Sequence, residues 1–294
     1  MLEVKNMYYA LILVSVVLFG ANFALQEVYQ KMRGDSLKVS LEATIFGSLA
    51  ALVVLLFINK FKIEYTHFSF LIAIILAVIN LAFTFVSFKA LSYINLSLYS
   101  LFSMLGGMLL PFLQGIIFYG EPLTIAKAYC IVFIVGALLL TINKDNDKKG
   151  GLIYYIGVFV INGLGSVFTK IFTSSSLPKT SSAGLNILVT ITAVIISAVI
   201  LLIFFMKTKT EKPINLKNTM VISASGVSSR IANFLLVIAL MHVDASVQYP
   251  MVTGGVMIVS TLLVFFRKQK PSFKEVLSVA LAFLGMLVLF IVPV

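Results

Sequence analysis

LSLYSLFSMLGGMLLPFLQGIIFYGEPLTIAKAYCIVFIVGALLLTIN, residues 96–143, is two apolar runs joined by a short polar break at Tyr119–Thr124. Residues 245–292 read ASVQYPMVTGGVMIVSTLLVFFRKQKPSFKEVLSVALAFLGMLVLFIV, and the same plan returns about 149 residues later. Gly106-Gly107 is answered by Gly254-Gly255, Pro122 by Pro271, Gly136 by Gly285, and Ser97 by Ser246. Working outward, Gly20-Ala21-Asn22-Phe23 faces Gly163-Leu164-Gly165-Ser166, Glu27 lines up with Lys170, and Ala90-Leu91 matches Ala239-Leu240. The chain reads as one unit written twice.

Composition fixes the medium. The chain is 60% hydrophobic and 11% charged, against roughly 25% charge in soluble domains. Apolar runs of about 20 residues fill most of it, each long enough to cross a hydrocarbon core of ~30 Å. A membrane barrel would need short alternating strands, and the unbroken runs exclude it. The expected fold is an all-α membrane protein of ten transmembrane helices. They fall near residues 7–29, 38–58, 67–91, 96–119, 123–142, 151–173, 183–206, 218–241, 246–266 and 273–292. The first run is too long for a signal-peptide core and no A-x-A site follows it.

The domain plan is residues 1–143 as a first five-helix repeat, 144–150 as a polar linker and 151–294 as a second five-helix repeat. Five is odd, so the second unit enters the membrane from the opposite side. Two inverted five-helix repeats result, with a substrate site expected between them near the midplane.

The net charge of +11 does not indicate nucleic acid, because the basic residues sit in short loops between spans. Loop bases near the termini are Lys5, Lys60, Lys62, Lys127 and Lys179; fourteen others occupy loops of the opposite side. That excess argues for termini facing outward. Cys130 is the single cysteine, so neither an intrachain disulfide nor a thiolate metal cluster is expected. No cofactor and no metal are implied.

Ten spans as five plus five, the G-A-N-F of helix 1, the Y-G-E-P-L-T break after helix 4 and the glycine-bearing helix that follows resemble the EamA-like family of the drug/metabolite transporter superfamily. The resemblance covers the whole chain. It implies a transporter of small organic metabolites, amino acids or toxic compounds, often coupled to a proton or working by exchange. It also implies termini in the cytoplasm, against the charge count. Phe19 stands where the family commonly has tryptophan, and Glu121 has no acidic counterpart at Gln269 and Lys270.

Charged and polar residues inside spans are the functional leads, since an ionised group at a helix centre costs roughly 2.5–3.5 kcal/mol. Arg230 lies midway along helix 8, with Asn233 one turn on. It is read either as a contact for an anionic group or as a structural ion pair or carbonyl clamp. Asn80 in helix 3 and Asn22 in helix 1 are further substrate-binding candidates, with interhelical hydrogen bonding as the alternative. Tyr99, Gln248 and Tyr249 enter helices 4 and 9 at matching places and offer hydrogen bonds and an aromatic wall; interfacial anchoring is the alternative. Glu27 with Lys89 on one side, and Lys170 with Asp244 on the other, are the expected gate pairs, with ordinary snorkelling set against them. Glu27 is the candidate proton carrier.

The leading expectation is a secondary active transporter. It would carry a small polar organic metabolite, amino-acid-like, zwitterionic or anionic, across the cell membrane by alternating access. A proton is a possible coupling ion and the lipid bilayer is the solvent. The protein would be a monomer or a homodimer. An exporter of organic cations or drugs is the alternative, and a non-transporting sensor or partner subunit the alternative of another class. No P-loop is visible, so ATP is not the direct energy source. An enzyme is not expected: Ser225 and His242 lie on one helix about 25 Å apart, and a catalytic base must reach its nucleophile.

Overall fold

Short polar side chains punctuate the apolar runs. Ser36, Thr66 and Asn95 each accept a hydrogen bond from a backbone N–H three residues on, those of Val39 (3.3 Å), Ser69 (3.2 Å) and Leu98 (3.0 Å). Asn215 does the same for Asn218 at 2.9 Å. Such caps satisfy donors that a helix start leaves open, each worth about 1 kcal/mol.

The computed structural model describes residues 2–120, 123–141, 151–205, 213–240, 243, 245–266 and 272–291. Among them are ten α-helices and no strand: α1 Leu2–Arg33, α2 Leu37–Ile58, α3 His67–Tyr93, α4 Leu96–Phe118, α5 Ile125–Thr141, α6 Gly151–Ser174, α7 Ser182–Phe205, α8 Leu216–Leu240, α9 Ala245–Phe266 and α10 Phe273–Ile291. They fall on the ten expected stretches, except that α1 continues to Arg33. Six of them (α1, α2, α3, α4, α6 and α7) are long and apolar enough among the described residues to cross a membrane. Helices α5 and α9 carry shorter apolar stretches. Helix α8 is diluted by Lys217, Arg230 and several serines. This is the make-up of a multi-pass membrane protein.

Helix contacts close a ring in the order α1, α8, α2, α7, α3, α6, α4, α9 and back to α1. Helices α5 and α10 pack on each other and join the ring at α4 and α9. Hydrogen bonds between distant segments tell which helix ends lie together. At one end Asn95 Nδ2 donates to Glu275 Oε2 (2.7 Å), and the hydroxyls of Ser97 and Thr261 meet at 2.7 Å. At the other, Ser181 N and Oγ donate to Glu64 (2.6 and 2.7 Å), and Thr180 N donates to Ser69 Oγ (3.0 Å). The start of α1 and the end of α10 belong to this second, terminal end; the first is the far end.

Between hydrocarbon-soluble helices there is no hydrophobic drive to associate, so close backbone approach matters. Gly106 of α4 lies against the backbone of Phe159 in α6, and Gly163 of α6 against Leu110 of α4. Gly226 of α8 lies against the backbone of Gly47 in α2. Gly20 meets Val259, and a Cβ on Gly255 would come within 2.9 Å of Val16. At Gly106 and Gly255 the missing side chain serves tight packing. Gly136 differs: a Cβ there meets nothing within 4 Å.

These contacts make a paired expectation. Gly106→Ala drives a methyl into the Phe159 carbonyl and destabilises the fold by about 1–3 kcal/mol, whereas Gly136→Ala is neutral or stabilising by about 0.5 kcal/mol. Unfolding in detergent micelles measures both; equal effects would contradict the packing described.

Candidate functional site

A helix turns about 100° per residue, so positions nine apart lie half a turn out of phase. On α3 the exposed apolar stripe is Leu71, Ile74 and Val78; Asn80, nine beyond Leu71, is on the opposite face and half-buried. On α6 the stripe is Ile153, Ile156 and Val160; Asn162 lies opposite Ile153, and Thr169 lies opposite Val160. On α7, Asn186 lies opposite Ile195. On α8, Met220 and Ala224 are exposed, and Asn233 lies opposite Ala224. The apolar stripes face outward from the ring and the amides face inward. Thr169 and Asn233 are nevertheless exposed. Both stand in the terminal-end halves of their helices, so at that end the polar side of the ring is exposed.

The interior stops at a buried chain of polar side chains. Ser225 Oγ of α8 donates to Asn22 Oδ1 of α1 (2.6 Å), which also accepts from Gln26 Nε2 (3.3 Å). The Tyr99 hydroxyl of α4 donates to Gln26 Oε1 (3.3 Å) and lies 3.0 Å from Ser87 Oγ of α3, which has its own proton to give. Phe23 meets the Tyr99 ring edge-on at 5.2 Å. Tyr99 is 0% exposed. Four helices are thus tied across the ring. Asn22 and Tyr99, both expected to touch substrate, are engaged with each other's neighbours here. Ser225 is a helix tie.

Beyond this belt, at the far end, lie three ion pairs. Lys31 Nζ is 2.6 Å from Glu27 Oε1, Lys89 Nζ is 3.2 Å from Asp35 Oδ1, and Arg33 pairs with Glu42. The expected Glu27–Lys89 pair is not made. Lys31 sits one turn from Glu27 on the same helix and needs no rearrangement to reach it, while Asp35 in the turn after α1 takes Lys89. Glu27 is 2% exposed. It borders a cavity of about 240 Å³ with Lys31 and residues 91–95. Arg33 and Glu42 are both buried, and Arg33 Nε and Nη1 have no partner among the described residues. Removing one member of such a pair costs about 3–5 kcal/mol. The sequence reading missed this pair. Its signal was Arg33 and Glu42 flanking the Gly34–Ser36 turn.

At the terminal end, Lys170 Nζ donates to the Pro111 carbonyl (3.3 Å) and stands 5.3 Å from the Tyr119 ring. Its expected partner Asp244, and the side chains of Gln248 and Tyr249, lie outside the described residues. Arg230 Nη1 donates to Asn186 Oδ1 (2.7 Å), and Asn186 Nδ2 donates to Ser182 O (2.8 Å). Asn186 was not singled out from sequence; an amide one turn into a helix gives no signal until the partner is known. Asn233 Nδ2 donates back to Ser229 O (2.8 Å). Asn162 Nδ2 bridges to Ser103 O in α4 (2.6 Å). In the loop before α3, Ser181's backbone N–H, then its hydroxyl, hold the Glu64 carboxyl below the usual carboxylate range. That loop tether is fully present above the ordinary carboxyl value and is lost as pH falls through the lowered one.

No family model matches the sequence, and no curated protein matches it. One solved crystal structure, described only as that of a protein, superimposes on it with a TM-score of 0.61 at 17% identity, covering 95% of each chain. At that identity the likeness is of fold alone.

The observed pairs make a charge-swap expectation. Lys89→Asp with Asp35→Lys restores the stability lost in either single variant, while Lys89→Glu with Glu27→Lys does not. Thermal unfolding of the set in detergent decides it, and rescue by the second combination alone would contradict the observed pairing.

Proposed function

We propose that the chain is a secondary transporter of a small polar organic solute in the cell membrane, built as two inverted five-helix repeats of the EamA-like kind and working by alternating access. The observation that carries this reading is an interior polar face, exposed at the terminal end and stopped by a buried hydrogen-bonded belt toward the far end. A ring with a solid apolar centre would have no use for exposed Thr169 and Asn233 opposite the outward stripes.

The repeat is supported by matched contacts. Gly106 packs on Phe159 as Gly255 packs on Val16, and Leu110 packs on Gly163 as Val259 packs on Gly20. In each case 149 residues separate the α4 and α9 members, and 143 separate the α1 and α6 members. The helix pairs follow the same exchange: α1·α8 with α6·α3, α2·α8 with α7·α3, and α4·α6 with α9·α1. An inverted pair lets each half adopt the other's conformation, which turns a chamber open to one side into one open to the other.

In this reading the belt and the far-end ion pairs are the closed gate. Glu27, a buried carboxylate whose cationic partner Lys31 is solvent-exposed, belongs to that gate.

Counterflow in proteoliposomes tests the proposal. Liposomes preloaded with pooled amino acids and organic acids are expected to accumulate labelled members of the same pool saturably, and the Arg33→Ala variant to lose that flux. Folded, monodisperse protein giving no counterflow with these pools or with organic cations would contradict it.

A further inference from the structure

We infer that Arg230, held in place by Asn186, is a carboxylate-binding residue in the open half of the ring. The transported solute would then be a small organic acid or amino acid rather than an organic cation. The substrate class rests on the transporter reading; the anion site itself does not.

Arg230 is the fifteenth residue of a 25-residue helix, where a guanidinium is costly to hold. Its recorded partner is neutral. Nη1 gives one hydrogen bond to Asn186 Oδ1, out of five N–H donors in a planar fork. Arg230 differs from Arg33 in what surrounds the rest of that fork. The unpaired Nε and Nη1 of Arg33 are sealed inside protein, whereas Arg230 is only half-buried and keeps accessible surface. The guanidinium also points the right way: Asn186, which it reaches, is on the face of α7 opposite the outward stripe.

No carboxylate of a neighbouring helix balances this charge among the described residues. Helix α8 packs on α1, α2 and α9. In α1, Glu27 lies beyond the Asn22–Ser225 contact toward the far end and pairs with Lys31. Position 3 of α1 lies about 21 Å along the axis from the level of Arg230, and Asp244 lies outside the described residues. In α2, Glu42 is taken by Arg33. Helices α7 and α9 contain no Asp or Glu. Glu64, before α3, is engaged by Ser181 and Asn59. The second interior cation, Lys170, makes this half of the ring still less suited to a cationic solute. A carboxylate supplies the missing charge, and its two oxygens match the remaining edge of the fork.

Asn186 is the positioning residue. Its Nδ2 is fixed by the Ser182 carbonyl, which leaves Oδ1 to hold Nη1 and aim the free edge.

The test is ligand-induced thermal stabilisation in detergent, with sodium acetate, sodium succinate and L-alanine as probes and their methyl esters as controls. The acids are expected to stabilise saturably and the esters not. Arg230→Gln should weaken the effect at least about tenfold, and Arg230→Lys less. Asn186→Asp places a carboxylate on the fork from within. It should abolish the stabilisation while keeping an unfolding midpoint at or above that of the unaltered protein, which separates lost binding from lost folding. Stabilisation by none of the three acids, by inorganic phosphate in their place, or equally in Arg230→Gln and Asn186→Asp would overturn the inference. Carboxylate binding without counterflow would leave the site standing and remove the transporter; counterflow of cations alone would do the reverse.

Discussion

A polar side chain on a membrane helix can be placed only where hydrocarbon is not. The helical period then does the sorting, because two positions nine apart face opposite ways. In α3, α6, α7 and α8 an outward apolar stripe and an inward amide stand in that relation. The ring follows from it. Each of these four helices offers an apolar face outward, flanks to its neighbours and a polar strip to the middle. The flanks are where glycines allow backbones to touch, as at Gly106 with Phe159 and Gly226 with Gly47.

The two ends of the ring are not equivalent. At the far end a continuous hydrogen-bonded chain from Ser225 to Ser87, backed by three ion pairs, holds α1 against α3, α4 and α8. At the terminal end Thr169 and Asn233 meet open space. The far-end contacts combine strength with an imbalance. Arg33 has a buried acid in Glu42 and the Tyr29 hydroxyl beside it, while its Nε and Nη1 make no hydrogen bond among the described residues.

Much of the architecture was legible in the sequence because it rests on local signals. Long apolar runs fixed the number and place of the helices. Cap residues such as Ser36 and Asn95 fixed where they begin, and only α1 overran its expected end. The pairing of side chains was less legible, because it depends on rotation and on which neighbour arrives first. Glu27 was expected to meet Lys89, but Lys31 was one turn away on the same helix. Lys89 went instead to Asp35, a turn residue that periodicity says nothing about. Arg230 was identifiable as a charge in the wrong solvent. Asn186, its partner across α2, was not, since no spacing links residues 44 positions apart. Tyr99 and Asn22 were expected to line a substrate site; the structure ties both into the buried belt.

The account stands on a wettable chamber inside an apolar ring. Single cysteines at Thr169, Asn233, Val160 and Ser87, in a background with Cys130 replaced by Ala, test this in membranes with a polar, membrane-impermeant maleimide. Thr169→Cys and Asn233→Cys should label from the terminal end only, while Val160→Cys, also exposed in the isolated protein but on the outward apolar stripe, and Ser87→Cys should not. Labelling of Val160→Cys with protection of Thr169→Cys and Asn233→Cys would mean that the inner and outer faces have been assigned the wrong way round.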